Sequence, residues 1–570
     1  MPCLGAQACG DKVEVRLHSP KSARGRYLGP TFEGGLAILE DGTGKVVISR
    51  DVTFEPRGSL TSGYAPVSAP APDLAPAAPA PQPTPATVDL DDALLDAGGG
   101  DDDGVLPPRR AASGRQGQIS MADARLDDEP STHKQAMALP DAAQWREAEA
   151  VKLGNHERAG TWEPARLPKG RTAVGSRWIY KRKTDSQGNV AKYKVRIVAR
   201  GFSQKPGLDF EETHAPTPAF TALRVFVAIA VRLSLLVHQM DVEAAFLNSL
   251  IDVELYMAPP DGLILPKGTD TLLIRRGLYG FKQSARLWWK AAHEHIISLG
   301  FRQLVTEWCV YVRPGRSGPT YLLIYVDDML VAAATQAEVD EVKAMPRQKW
   351  RMTDLGPAKW VLGVSFDRQG AGVLLKQSAY IQSMARRFGQ EHGRATHTPL
   401  PDELPTQEGD PFADRQQYQA LVGSLLWVAI ATRPDIAFAA GYLGRFSARP
   451  THQHWQVGLR VVRCLKTTHD VGLWFAKDAS GVALEGWVDA DYAGDVDTRR
   501  STTGYAFKAF GSLVSWGARR QDIVATSTVH SEYIAMAEAE RRTRIYAFCL
   551  PTSAKRSASQ HLSGLTIRVH

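Results

Sequence analysis

Two short stretches of this 570-residue chain could do chemistry by residue type and position. In HQMDVEAAFL (238–247), Asp241 closes an apolar run just ahead of a helical segment. In YLLIYVDDMLVAAA (321–334), Asp327 and Asp328 lie between two runs rich in strand formers. Two acids flanked by such runs read as a hairpin with the acids at its tip. Burying acids beside so much apolar surface is costly unless a partner neutralises them. A divalent cation is the natural partner, because magnesium takes hard oxygen ligands and leaves positions open for phosphate oxygens. Two such ions about 4 Å apart clamp the attacking and leaving oxygens of an in-line phosphoryl displacement, the chemistry of nucleotide addition. Asp241 and Asp327 are 86 positions apart, so only tertiary structure can bring them together. Spacing alone leaves a second reading equally open, a turn pair of aspartates that merely solvates a hairpin.

The elements around these acids read as several domains, which the chain length also calls for. Residues 11–56 hold short alternating runs split by Asp41-Gly42 and Thr43-Gly44, the pattern of a small all-β module. Eight prolines between Pro66 and Pro85 and seven aspartates between Asp89 and Asp103 mark a disordered linker over 57–140. Helical spacing resumes at DAAQWREAEAVKLGNH (141–156). Two strands joined at Asp185-Ser186-Gln187-Gly188 follow, and Thr221 to Leu236 reads as an apolar helix. Between Lys169 and Lys205 there are eleven Lys/Arg and one acid, which favours an anion-binding surface on that hairpin over a merely solvated basic face. Strands and helices then alternate to about residue 480, and 483–548 opens on strands and ends in a helix.

Bulk properties narrow the class. The net charge of +7 is compatible with a polyanionic partner without requiring one. The five cysteines form no CxxC pair, which argues against a zinc site or a disulfide framework and for free thiols in a reducing compartment. The opening residues do not read as a leader. The most apolar run, Tyr321 to Ala334, is broken by two aspartates and falls short of the roughly 20 residues that span a bilayer. A soluble protein is expected, without membrane contact.

Beyond these physical signals, a series of motifs resembles the Pol polyprotein of copia-type retrotransposons, in its reverse transcriptase and RNase H portion. They are TWEPARLPKG (161–170), SRWIYKRKTDSQGNVAKYKVRIVARGFSQKPGLDFEETHAP (176–216), QMDVEAAFLNS (239–249), ELYMAPPDG (254–262), GLYGFKQSARLWW (277–289), YVDD (325–328), DLGPAKWVLGV (354–364), TRPDIAFA (432–439), DADYAGD (489–495) and RRSTTGYAF (499–507). LYGFKQ and the downstream region favour this family over telomere or group II intron polymerases. The resemblance runs from about Asp141 to Leu550, and residues 25–56 are similar to the small β-barrel that follows the integrase core.

The resemblance implies a multidomain α/β (α+β) architecture: a right-hand polymerase of fingers, palm and thumb plus an RNase H-like module, preceded by a small β-barrel and a disordered linker. The expected domains are a β module at 1–56, linker at 57–140, fingers and palm at 141–385, thumb or connection at 386–482, an incomplete RNase H-like domain at 483–550 and an unmatched tail at 551–570. Asp241, Asp327 and Asp328 match the catalytic carboxylates, holding two magnesium or manganese ions. Lys194 and Arg196 match the residues that grip the incoming triphosphate, a point charge and a planar fork. Phe246 falls on the steric gate against a ribose 2′-hydroxyl, although burial alone would make it a core aromatic. Tyr279 and Gly280 match the loop beside nucleotide and template, and Ala285 stands where the family usually has proline. The implied partners are an RNA template, a DNA primer, the RNA–DNA hybrid and dNTPs, in a cytoplasmic particle or the nucleus. The oligomeric state is left open. The alternative is a decayed Pol remnant that binds nucleic acid without catalysis.

In the RNase H-like region, Asp489 matches the first catalytic acid and Asp491 a neighbouring one. Aligned on Glu532-Tyr533, the second catalytic glutamate position holds His530, a neutral ligand that suits softer ions than magnesium. Glu532, two residues on along a helix, is expected to point roughly 200° round from the lost acid at 530, which leaves Asp489 without its partners. The tail PTSAKRSASQHLSGLTIRVH contains no acid. RNase H activity is therefore expected to be absent or impaired.

Overall fold

The computed structural model describes residues 129–184, 190–305, 307–478 and 482–549, together with the backbone of strands at 14–17, 24–30, 36–40, 46–49, 52–54 and 565–569. Two compact units form, one within residues 1–87 and one within 88–570. In the first, β1 (Glu14–Leu17), β2 (Arg24–Pro30), β3 (Leu36–Glu40), β4 (Val46–Ser49) and β5 (Val52–Phe54) pair antiparallel in the order β4-β3-β2-β1-β5. Most of the expected linker lies outside the described residues. Its last part does not: α1 (His133–Ala138) is capped by the Thr132 side chain and buries Ala136, so the folded body starts before Asp141.

In the second unit, α2 (Ala142–Arg158) sets Trp145 against the buried face of a basic hairpin, β7 (Ser176–Thr184) and β8 (Val190–Ala199). Trp178, Tyr180, Val195 and Ile197 form that face, because alternate residues of each strand point the same way. The expected turn at 185–188 lies outside the described residues. Strand β6 (Trp162–Ala165) belongs to a separate three-stranded sheet, β10-β11-β6, with β10 at Leu250–Met257 and β11 at Thr271–Arg276.

The central sheet carries the acids. Its order is β12-β13-β14-β15-β9-β16, from β9 (Leu236–Val242), β12 (Arg302–Gln303), β13 (Val310–Pro314), β14 (Pro319–Tyr325), β15 (Asp328–Ala333) and β16 (Met352–Pro357). Helix α3 (Phe220–Arg232), α4 (Ser284–Ser298) and α5 (Gln336–Arg347) accompany it. The apolar run expected to be helical to Leu236 ends at Arg232, and Leu236 already starts β9. Ser234, at φ +56°, turns the chain between them.

A four-stranded sheet follows, β17 (Trp360–Val361), β18 (Val364–Gln369), β19 (Gly372–Lys376) and β20 (Leu473–Phe475). Between β19 and β20 lie the helices α6 (Ser378–Arg387), α7 (Arg415–Ala431), α8 (Ala437–Gly444) and α9 (His452–Thr467), packed on one apolar cluster. The boundary expected at 385 thus falls inside α6, and β20 pairs back to β19.

The last sheet has the order β23-β22-β21-β24, from β21 (Leu484–Asp491), β22 (Thr502–Ala509), β23 (Ser512–Arg520) and β24 (Leu565–Val569), with α10 (Thr528–Cys549) against it. The tail, expected to match nothing, supplies β24, which runs parallel to β21. One core joins this sheet to α3: Leu223 and Phe226 share a cluster with Leu484, Phe507 and Val514. Arg224 of α3 is buried there, its Nε donating to the Val514 carbonyl at 2.6 Å and its guanidinium 4.0 Å from the Trp516 ring.

Candidate active site

Strands β14 and β15 form the expected hairpin, with one difference. Tyr325 pairs with Asp328, so the two-residue turn is Val326-Asp327 and Asp328 is already in the sheet. Val326 adopts φ +51°, a left-handed conformation unusual for a β-branched residue. The Trp288 indole of α4 donates to the Val326 carbonyl at 2.6 Å, and the Val242 amide donates to the Asp327 carbonyl at 2.8 Å. The next strand over is β9, and Asp241 is the direct cross-strand partner of Asp328. The three acids expected to act together are therefore neighbours.

Their electrostatics are those of crowded, dry carboxylates. Asp327 and Asp328 are each only 7% exposed. Burial first, then the charge of Asp241, pushes Asp327 up to about 7, while Arg196 opposes the shift. Burial also raises Asp328, opposed by the Gln239 amide, which donates to its Oδ1 at 3.0 Å. Among the described residues no group of three or more His, Cys, Asp or Glu side chains forms a ready-made metal cage. The donor set still fits a hard divalent cation, because like charges forced together in an apolar setting are relieved by one. Asp241 and Asp327 would hold it, with Asp328 fixed beside them by Gln239.

Arg196, Phe246 and Tyr279, three of the residues expected around the nucleotide, gather at the same place. The Tyr279 hydroxyl lies 3.5 Å from Asp327 Oδ2, and burial and the nearby acids raise it well above the usual phenol range. The Phe246 ring meets the Tyr279 ring edge-on at 4.6 Å, and the Arg196 guanidinium carbon is 5.6 Å from the Tyr279 ring centre. Phe246 lies in a tight turn at Ala245–Asn248 that follows Ala244, at φ +52°. Gly280, at φ +91°, lets strand β8 approach: a Cβ there would lie 2.1 Å from the Ala199 carbonyl oxygen. The Ala199 amide donates to the Tyr279 carbonyl at 2.9 Å, so the strand carrying Lys194 and Arg196 is bonded to the Tyr279 loop. Ala285 is the second residue of α4, a first-turn position where proline would also fit.

Three residues at this site escape a reading of the sequence. Gln239 shares a strand face with Asp241, and that period-2 spacing could have flagged it. Trp288 lies within the motif at 277–289, but its role depends on a contact 38 positions away that the motif does not reveal. Lys152 of α2, within electrostatic reach of Arg196 and Lys194, is lowered to about 8 by burial and by those two cations.

Asp489 and Glu532 lie elsewhere, on the last sheet and its helix. The expectation that Asp489 stands without a partner acid is corrected: it is Glu532, not position 530, that faces the sheet, its Oε1 accepting from the Ala490 amide at 3.3 Å and its Oε2 buried without a hydrogen-bond partner. Burial and the charge of Asp489 both raise Glu532. His530 points outward, its Nδ1 3.2 Å from the exposed Thr526 hydroxyl. The register fails because α10 buries Ser531, Ala535 and Ala539, the stripe beside Glu532 rather than His530.

Residues 159–402, which include every residue of the Asp241–Asp327 site except Lys152, match the family of reverse transcriptases (RNA-dependent DNA polymerases). A protein of transposon Ty5-1 in Saccharomyces cerevisiae is 32% identical over 304 residues, 52% of this chain and 98% of that protein. The chain belongs to the copia-type retrotransposon Pol family, in its reverse transcriptase region. Among longer relatives of this family, the Pol polyprotein of transposon TNT 1-94 from Nicotiana tabacum is 34% identical over 424 residues. That of transposon RE1 from Arabidopsis thaliana is 32% identical over 419 residues. Each alignment covers 72% of this chain but only 32% and 28% of those polyproteins, so the chain spans about a third of their length. A foamy viral protease–reverse transcriptase solved with double-stranded DNA overlays at a TM-score of 0.41 with 12% identity, over 98% of this chain and 92% of that one, a likeness too slight to define the fold. Among the described residues of this Pol chain, no helix is long and apolar enough to cross a membrane.

Proposed function

We propose that this chain is an RNA-directed DNA polymerase that extends a DNA primer on an RNA template and then on DNA. The hairpin β7–β8 with α2 acts as fingers, the central sheet as palm and the helices α7 to α9 as thumb or connection. The observation that carries this reading is the convergence of Asp241, Asp327 and Asp328 with Arg196, Phe246 and Tyr279 at one end of the central sheet. Bound magnesium or manganese supplies charge neutralisation for the in-line displacement. Asp241 and Asp327 bind the ions, and Gln239 keeps Asp328 oriented. Lys194 and Arg196 hold the triphosphate, and Phe246 fills the space a 2′-hydroxyl would need. The hybrid product is gripped by backbone shape and charge, since the A-form major groove is too narrow to read.

The RNase H-like module is proposed to contact the hybrid with weak or no cleavage. Asp489 and Glu532 stand together, yet the tail that closes the sheet as β24 brings no acid to them. A primer annealed to an RNA template, incubated with the purified chain, dNTPs and magnesium, tests the polymerase reading. Extension supports it. Tight hybrid binding with no extension favours a non-catalytic remnant.

A further inference from the structure

The turn that carries Asp327 is held in a conformation its own sequence disfavours. Val326 sits at φ +51°, where a β-branched side chain crowds its own backbone. Such conformations persist only when the surroundings over-determine them. The Trp288 indole supplies the side-chain part of that hold, donating to the Val326 carbonyl at 2.6 Å, beside the backbone bond from the Val242 amide to the Asp327 carbonyl. Trp288 is itself locked: it is 1% exposed, and its ring meets the Trp350 ring edge-on at 4.9 Å.

Helix α4 also reaches the nucleotide loop. One turn before Trp288, the Ser284 hydroxyl donates to the Leu278 carbonyl at 2.8 Å and accepts from the Leu278 amide at 3.0 Å. Tyr279 and Gly280 follow directly in the chain. A single rigid helix therefore fixes the loop carrying Tyr279 at one point and the turn carrying Asp327 at another. The Tyr279 hydroxyl and Asp327 Oδ2, 3.5 Å apart, lie on the two segments that this helix ties together.

We propose that Trp288 is a positioning residue for nucleotide addition, whose indole N–H holds Val326 left-handed and thereby aims Asp327 at the metal and the nucleotide. The role rests on the polymerase reading, and it does not require Trp288 to touch substrate. Phenylalanine at 288 keeps a ring in the core and removes the donor. Glycine at 326 adopts a positive φ without crowding and should relieve the need for the hydrogen bond.

The test is a double-mutant cycle of W288F and V326G, read by steady-state primer extension and by hydrogen exchange of the segment 325–328. The expected result is that W288F lowers kcat on the order of tenfold with little change in KM for the dNTP. Exchange at 325–328 should quicken. In the V326G background the same change at 288 should cost much less in both readouts. Equal losses in the two backgrounds, or wild-type kcat and unchanged exchange in W288F, would overturn the proposal. If the unaltered chain extends no primer, the polymerase reading fails. The exchange arm then decides the role of Trp288 by itself: unchanged protection at 325–328 in W288F sinks it, and quickened exchange that V326G relieves sustains the hold on the turn.

Discussion

Asp241 and Asp328 are direct cross-strand partners, although 87 positions separate them in the chain. Like charges set opposite one another on neighbouring strands destabilise a sheet. The buried Asp327 adds a third carboxylate at the turn beside them. A fold that keeps three acids in an apolar setting sacrifices stability there, and a bound cation is what would restore it.

That cost should be measurable in the metal-free chain. Asp327 is raised from 3.8 to about 7, so between those values the folded state holds a proton that the unfolded state releases. Stability then falls as pH rises through that window. Asp327→Asn should stabilise the metal-free protein at pH 8 by on the order of 2–4 kcal/mol, and the gain should shrink toward pH 4. Thermal melts across that range, with chelator present, check it. Added magnesium should raise the melting temperature of the unaltered chain more than that of the variant.

Sugar choice should depend on Phe246, whose ring packs edge-on against Tyr279. Phe246→Ala or Phe246→Val should raise ribonucleotide incorporation relative to deoxyribonucleotide, by at least about tenfold if the ring is what excludes the hydroxyl. Competition assays with matched rNTP and dNTP read this directly. An unchanged ratio with polymerisation intact would mean that Phe246 is core packing only.

Gly280 should tolerate no side chain. Its φ of +91° and the 2.1 Å approach of the Ala199 carbonyl to a built Cβ combine two penalties. Gly280→Ala should cost about 2 kcal/mol or more, or force β8 away from the Tyr279 loop. Denaturant unfolding and the KM for dNTP report the two outcomes, and wild-type values in both would contradict the packing described.

Much of this was legible in the sequence. The apolar runs around YVDD and QMDV force strands, and those strands bring the acids together. The turn lies one residue earlier than the Asp-Asp pair implies, because local rules disfavour valine at a positive φ and the bonds that hold it there, from Trp288 and from Val242, are tertiary contacts. Glu532 faces the sheet, against expectation, for a related reason. Its orientation depends on which helix stripe packs against β21, and the spacing of Glu532 to Ala535 and Ala539 carried that information. The start of the folded body before Asp141 is not legible either, since α1 is short and its burial of Ala136 is a tertiary contact. Lys152 has no motif at all and emerges only when α2 packs beside the β7–β8 hairpin.

The last sheet with α10, proposed above as an RNase H-like module, should cleave a hybrid poorly. Two-metal cleavage needs several converging acids, and Asp489 with Glu532 supplies a pair. A labelled RNA–DNA hybrid with magnesium, beside an Asp489→Asn control, should show at most slow cleavage that disappears in the control. Robust cleavage lost on Asp489→Asn would mean that the pair suffices with help from Asp491.

The most direct measurement is extension of a DNA primer on an RNA template by the unaltered chain and by Asp327→Asn, with magnesium and all four dNTPs. The account expects extension by the former and a loss of several orders of magnitude in the latter, with hybrid binding retained. Extension by Asp327→Asn at a rate near that of the unaltered chain, or no extension by either with the hybrid tightly bound, would contradict it.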